Sequence, residues 1–257
     1  MARALTRTNF NSSRLIRLLA DLTVLDTAGS GTAFAEKLGL WVGFADAINL
    51  RAAHDVGPEK LSCIPNGQSR VAHDALAGEF TRVRANLVQS IANSDSANGA
   101  GTRTALPSPK AWDYYDDAIV YEPYRRYHLA HQRDLERQAR SLRTKMRGVL
   151  ANASPALKQL AELDAAFDGI LSERESKLLA SLPSLLEKRF KQLLKAHQLA
   201  QVGNQAADTP DLWMNPGGWL ARFCCELQAV LVAELDVRLQ PAQGLLEALN
   251  SEIEKQI

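Results

Sequence analysis

The chain is poor in the residues that mark secreted, disulfide-bonded or membrane-spanning proteins. It has three cysteines among 257 residues, and a sparse, odd number argues against a disulfide scaffold and favours a reducing compartment. No apolar run reaches the roughly 18 residues that a membrane-spanning helix needs. Arg14 and Arg17 interrupt the N-terminal stretch in which a secretory signal would lie. We therefore expect a cytoplasmic protein with no transmembrane segment.

Net charge and catalytic signatures are scarce as well. The formal net charge is only +1, so electrostatic recognition of a partner would have to come from a local patch. The sequence contains no GxSxG, HExxH or CxxC motif. We name no catalytic residue, no metal site and no cofactor, and an enzyme is less favoured than the two binding functions described below.

What the sequence has in abundance is apolar residues at helical spacing, with no strand-like alternation longer than a few residues. The N-terminal helices are predicted from the caps Ser12 and Ser13 to GSG at 29–31, over about 32–54 and over about 68–92. The later helices are predicted from near Pro123 to 151, from Ser154-Pro155 to about 182, onward to about 202, from 219 to 240, and briefly after Pro241. The sequence therefore predicts an all-α, multi-helix bundle.

One segment divides the predicted helices into two groups. Residues 93–109, NSDSANGAGTRTALPSP, are rich in Ser, Asn, Gly and Pro and hold few large apolar side chains. Such a segment cannot bury enough surface to offset the entropy lost on ordering. We predict a small N-terminal three-helix bundle (1–92), a flexible linker (93–109) and a larger C-terminal helical bundle (110–257) with a long amphipathic helix.

The long amphipathic helix has two sharply different faces. On a projection of about 100° per residue, an arc of about 80° collects the apolar residues and two histidines. These are Tyr124, His128, His131, Leu135, Ala139, Leu142, Met146 and Val149. An opposite arc of about 120° collects seven arginines. These are Arg125, Arg126, Arg133, Arg137, Arg140, Arg143 and Arg147.

The two histidines on the packing face favour a structural role. His128 and His131 are three residues apart, whereas zinc-binding helices usually pair histidines four residues apart. We expect core histidines with one ring nitrogen hydrogen-bonded. A metal site and a pH-responsive packing contact are the weaker alternatives.

The arginine face is the strongest indication of function. Residues 122–147 hold eight basic and three acidic residues, a net charge of +5, and guanidinium groups bind carboxylates and phosphates with two parallel hydrogen bonds. The face could instead be solvated or paired inside the protein, since acidic residues lie at 113–122 and in 205–257. Otherwise it binds an acidic protein, or else nucleic acid or an anionic lipid.

Tyrosines immediately before this helix give weaker support for an interface. Tyr114, Tyr115 and Tyr121 precede the predicted helix, and tyrosine is enriched at protein interfaces because it buries a large ring at low entropic cost. Packing of this segment as a loop is the alternative interpretation.

Three segments also resemble a known family. SRLIRLLADL (13–22), AEKLGLWVGFADAINL (35–50) and YEPYRRYHLAHQRDLE (121–136) are similar to an uncharacterised proteobacterial family described only as a domain of unknown function. The resemblance carries no catalytic residues. Members of that family are often encoded beside OmpA/MotB-like envelope proteins, which implies an accessory to an envelope-associated assembly.

Together these observations lead to two binding hypotheses. The first is a non-enzymatic cytoplasmic adaptor that binds a protein partner through the tyrosine-rich segment and the arginine face. The alternative is a nucleic-acid-binding protein that uses the same arginines.

Overall fold

The described part of the chain is helical throughout. The structure, a computed structural model, describes residues 14–22, 50–51, 66–92, 106–107, 117–201 and 209–255, and no strand occurs in these ranges. The helices are α1 (Arg14–Asp21), α2 (Asn66–Ala92), α3 (Asp117–Ala153), α4 (Pro155–Leu179), α5 (Leu182–Gln201), α6 (Pro210–Trp213) and α7 (Trp219–Lys255). The predicted all-α class is confirmed for these residues, and the helix predicted over 32–54 lies almost entirely outside them.

The junctions around α4 follow the local sequence signals. The Ser154 hydroxyl accepts a hydrogen bond from the Leu157 backbone N–H, and Pro155 occupies the first turn of α4. Pro183 lies in the first turn of α5, where its missing N–H leaves no helical hydrogen bond unmade. The helix start predicted at Ser154-Pro155 is confirmed. The sequence allows Pro183 to interrupt or kink a helix or to lie in the first turn of the next one, and the structure shows the last of these.

The structure corrects the predicted positions of two other prolines. Helix α3 begins at Asp117, so Pro123 lies inside it, and α7 continues through Pro241 to Lys255. A proline inside a helix costs about 3 kcal/mol, but burial on both sides of each proline offsets that cost. Tyr121 is buried before Pro123, and Leu239 and Ala242 are buried around Pro241.

Helix α7 is the centre of the fold. It packs against each of the other six labelled helices, and most of its circumference is buried from Phe223 to Leu239, with Cys225 exposed on the remaining side. A helix whose apolar surface is this wide lies in the core and packs against neighbours on several sides. The arginine-bearing helix α3 lies against α7, α4, α2 and α5.

The described N-terminal helices pack directly on the C-terminal ones. Helix α2 lies against α7 and α3, and α1 lies against α7. Arg14 and Arg84 both donate to Asp236 of α7, at 3.1 and 3.0 Å. The division into two domains stays a prediction, because most of segment 93–109 lies outside the described residues.

Within the described ranges, no helix is long and apolar enough to cross a membrane.

Candidate functional site

Five guanidinium groups stand at the surface along one side of α3. The exposed residues are Arg125, Arg126, Arg133, Arg137 and Arg140, and we call this set the arginine surface. The opposite side of α3 is buried from Tyr124 to Met146, so the two faces predicted from the sequence are present. At a rise of about 1.5 Å per residue, the arginine surface extends over about 22 Å.

Carboxylates of the same helix contact four of these five arginines. Glu122 accepts from Arg125 Nη1 at 3.4 Å and from Arg126 Nε at 3.1 Å. These hydrogen bonds, led by the one from Arg126, lower the pKa of Glu122. In the same way Asp134 accepts from Arg137, and Glu136 accepts from Arg140 at 3.0 Å. Exposed pairs three or four residues apart in a helix are weak, so these arginines can exchange their partners for stronger ones.

Arg133 differs from its neighbours in having no ion pair within the described part of the chain. It stands at one end of a surface groove of about 650 Å³. The groove is lined by Arg133, Glu136, Arg137, Arg140, Ser141, Thr144 and Lys145. Lys145 also contacts Glu79 of α2 at 2.5 Å. Ser141, Thr144 and Lys145 were not predicted as site residues, although they follow the arginines on the same side of the helix.

Arg143 and Arg147 are held inside the protein. Asp164 of α4 accepts from Arg143 Nη2 at 2.7 Å and from Arg147 Nε at 2.6 Å. Asp168 accepts from the same two guanidiniums at 2.7 and 2.8 Å. Burial alone would raise the pKa of Asp164, but the hydrogen bonds from both arginines outweigh burial and lower it. For these two arginines the structure shows the internal pairing that the sequence left open.

The acidic partners of Arg143 and Arg147 come from an unexpected place. The sequence pointed to 113–122 and 205–257, yet the carboxylates belong to Asp164 and Asp168 in the next helix. A usable signal was present, because two arginines four residues apart precede two aspartates four residues apart across the short junction at Ser154. Consecutive helices joined by such a junction pack side by side, which brings equally spaced charges together.

The tyrosines have structural roles where they can be described. Tyr121 is only 3% exposed, its ring centroid lies 5.6 Å from that of Phe190, and its hydroxyl donates to the Pro183 carbonyl. Tyr121 is part of α3 and does not precede it, so the surface interpretation of this residue is corrected. Tyr127 is also buried and donates to the Ile91 carbonyl at 2.9 Å. Tyr114 and Tyr115 lie outside the described residues.

Comparison with known proteins identifies the family. Residues 1–251 match the family described as "Protein of unknown function (DUF3348)". The chain belongs to this family. No curated protein and no solved structure matches it. The predicted resemblance to a domain of unknown function is therefore confirmed, whereas the proteobacterial origin and the envelope-protein gene neighbours stay predictions.

Behind the arginine surface, this DUF3348 chain contains a buried polar cluster, which we define as His128, Gln132, Glu234 and Arg238. Glu234 accepts from Arg238 Nε at 2.9 Å and from Gln132 Nε2 at 3.3 Å. Burial raises the pKa of Glu234 although Arg238 opposes this effect. Gln132 also donates to the Leu179 carbonyl at 3.0 Å, so the cluster joins α3, α4 and α7.

The imidazole of His128 is neutral in this cluster. Its Nε2 lies 3.9 Å from Glu234 Oε2, which is too far for a hydrogen bond, and neither ring nitrogen has a partner in the described structure. Burial, and to a smaller extent the nearby His131, lowers the pKa of His128 to about 4. The predicted burial of both histidines is confirmed, but the expected hydrogen bond to His128 is absent. The described residues of this DUF3348 chain contain no group of three or more potential metal ligands.

Proposed function

We propose that this chain is a non-enzymatic cytoplasmic adaptor that binds an acidic protein surface through the arginine surface of α3. The single observation that carries the proposal is Arg133, an exposed guanidinium without an ion pair in the described structure, flanked by Arg137 and Arg140 on one groove. Arginine is enriched at protein interfaces because its planar group pairs with carboxylates through two hydrogen bonds.

The rigidity of α3 supports this proposal. Arg143 and Arg147 tie the helix to α4 through Asp164 and Asp168, while Leu135 and Leu142 are buried on its other side. A partner would therefore meet guanidiniums on a preformed helix and would not have to order the backbone on binding, which is a cost that lowers affinity.

The charges interleaved with the arginines favour a protein over nucleic acid. Glu122, Asp134 and Glu136 lie among the exposed arginines. Carboxylates at these positions repel phosphates, whereas a protein surface of mixed charge can pair with both signs. Nucleic acid is the alternative, and the length and charge of the α3 segment are its support.

Two further features belong to the proposal. The first is the arrangement of a small N-terminal bundle of three helices and a larger C-terminal bundle, joined by the linker at 93–109. The second is that the partner belongs to an envelope-associated assembly, which rests on the family resemblance alone.

The proposal is tested by affinity capture from a cell lysate with two matched charge-reversal variants. One variant is Arg133→Glu/Arg137→Glu/Arg140→Glu. The control is Lys188→Glu/Lys191→Glu/Lys195→Glu on the exposed side of α5, which changes the net charge equally. We expect an acidic protein that the wild type and the lysine variant retain and the arginine variant loses. Retention of the same proteins by all three would contradict the proposal.

The nucleic-acid alternative needs its own measurement. Fluorescence anisotropy with labelled duplex DNA, single-stranded DNA and RNA is recorded over a salt series for the wild type and both variants. Binding that weakens steeply with salt and is lost only in the arginine variant would establish the alternative in place of the adaptor. The adaptor proposal expects no such binding.

A further inference from the structure

Another cavity lies where the end of α5 meets α6 and the start of α7. Its volume is about 480 Å³, and its wall includes His197, Gln201, Trp213, Trp219 and Arg222. This volume lies in the range of small-molecule sites, which are concave, mostly apolar and equipped with a few polar groups. We call it the aromatic pocket.

Three flat rings form the apolar wall of the aromatic pocket. The His197 ring stacks on Trp219 with centroids 5.8 Å apart and an interplanar angle of 26°, and Trp213 lies 5.6 Å from Trp219. The turn beside them depends on glycine. Gly217 has φ of +90°, and a Cβ on Gly218 would lie 2.2 Å from the Trp213 carbonyl oxygen. The turn thus holds the Trp213 backbone tightly against the first turn of α7.

Two buried polar atoms of residues in this wall have no hydrogen-bond partner in the described structure. They are Trp219 Nε1, which is a donor, and Gln201 Oε1, which is an acceptor. The Trp219 side chain as a whole is buried. Buried polar atoms are nearly always hydrogen-bonded, since an unmet one carries its full desolvation cost. Because both residues line this cavity, a ligand bound there can supply the acceptor and the donor that Trp219 and Gln201 lack, once these two side chains turn towards it.

A positive charge stands at the same cavity. Glu226 accepts two hydrogen bonds from Arg189, both 2.7 Å long, and one from Arg222 Nε at 3.0 Å. Arg189 and Glu226 are largely buried, whereas Arg222 is 63% exposed. Because Arg189 alone neutralises Glu226, the guanidinium of Arg222 brings a net positive charge to the pocket and favours an anionic ligand.

We propose that the aromatic pocket binds a small planar aromatic carboxylate that also carries a ring N–H. The ring packs against His197, Trp213 and Trp219. The carboxylate accepts from Arg222 and from Trp219 Nε1, and the ring N–H donates to Gln201 Oε1. The proposal is independent of the arginine surface, because no residue is shared between the two sites.

The probe is indole-3-acetate, and indole-3-acetamide is its neutral counterpart of nearly equal shape. Isothermal titration calorimetry of the full chain should give one binding site for the acetate and binding about tenfold weaker for the amide, the factor typical of losing one charge-assisted hydrogen bond. Arg222→Gln should weaken the acetate about tenfold and leave the amide unchanged. Ala196→Phe, which fills the pocket from an exposed position on α5, should abolish binding of both.

Arg126→Gln is the matched control, because Arg126, like Arg222, is exposed and paired with a glutamate four residues away; it should leave both affinities unchanged. Three results would each overturn the proposal. They are no binding of the acetate at about 1 mM, equal affinity for acetate and amide, and unchanged acetate binding by folded Ala196→Phe. If Ala196→Phe does not fold, the comparison of acetate with amide still decides.

Discussion

Replacing Asp164 by asparagine removes the charge that both internal arginines contact. Asp164 accepts from Arg143 at 2.7 and 2.9 Å and from Arg147 at 2.6 Å. All three side chains are less than one-fifth exposed, at 13, 14 and 16%. The substitution keeps the shape of the side chain, so the lost charge is the main change at the site.

The structure sets the size of the expected effect. A hydrogen bond to a charged group contributes about 1.5–3 kcal/mol, and removing one partner of a buried pair costs about 3–5 kcal/mol. Asp168 still contacts both guanidiniums, which reduces the loss. We therefore expect Asp164→Asn to lower the free energy of unfolding by about 3 kcal/mol, a Tm shift of roughly 6–12 °C for a chain of this size.

The pH dependence of this effect has a definite sign. The folded state lowers the pKa of Asp164, so the carboxylate stabilises the fold above its unfolded pKa of about 4. That contribution is lost as the pH falls through the lower, folded pKa. The stability difference between wild type and Asp164→Asn should be constant from about pH 7 to 5 and should shrink below about pH 4.

Urea unfolding followed by circular dichroism at a series of pH values measures this difference. Asp134→Asn is the control, because Asp134 pairs with an arginine on the exposed side of α3 and its loss should change the free energy of unfolding by less than about 0.5 kcal/mol. Equal stabilities of the two variants at pH 7 would refute the structural role assigned to Arg143 and Arg147.

Three further predictions follow from the fold. His128→Leu should leave stability at pH 7 unchanged or higher, since both ring nitrogens are unpartnered. Burial lowers the pKa of His128 to about 4, so protonation of the wild type opposes folding below about pH 6.5. Urea unfolding should therefore show that the variant loses less stability than the wild type between about pH 6.5 and pH 4. A large loss of stability in the variant at pH 7 would contradict the unpartnered state of His128. Gly218→Ala should lower the Tm, because the added Cβ would lie 2.2 Å from the Trp213 carbonyl oxygen. Gly244→Ala is the control and should leave the Tm unchanged, since nothing lies within 4 Å of its added Cβ. Equal Tm values for the two variants would contradict the close approach of Gly218 to the Trp213 backbone. Trypsin should cut within 93–109, and the fragments should co-elute in gel filtration because α2 packs on α7; fragments that separate would contradict that packing.

The periodicity of apolar residues and the capping residues are sufficient to predict much of the fold from the sequence. Ser154 and Pro155 marked the start of α4, and the burial of His128 and Leu135 followed from their position on the apolar arc of α3. These features depend on neighbours within about one helical turn, which a sequence displays directly.

The prolines show where local signals are insufficient. Pro123 and Pro241 lie inside helices because buried residues on both sides, such as Tyr121 and Ala242, hold the chain to a shared core. A helix start at Pro123 places Tyr121 in the preceding segment, where the sequence allows either an interface or a packed loop. Tertiary packing decided both outcomes, and its energy cannot be read from one segment.

Tertiary packing also explains why some arginines of the predicted face are exposed and others are paired inside the protein. All seven arginines share one arc of the helical projection, yet only Arg143 and Arg147 lie opposite Asp164 and Asp168. The aromatic pocket was not anticipated, because Gln201, Trp213 and Trp219 come from separate helices. Sites assembled from distant segments require the packing to be known first.

Arginine footprinting tests the binding role of the arginine surface most directly. Phenylglyoxal modification is followed by mass spectrometry for the chain alone and for the chain bound to the acidic protein it captures. We predict fast modification of Arg133 and slow modification of Arg143 and Arg147 in the free chain. The partner should protect Arg133, Arg137 and Arg140 and leave Arg222 unchanged. Equal modification of Arg133, Arg137 and Arg140 with and without the bound partner would contradict the account.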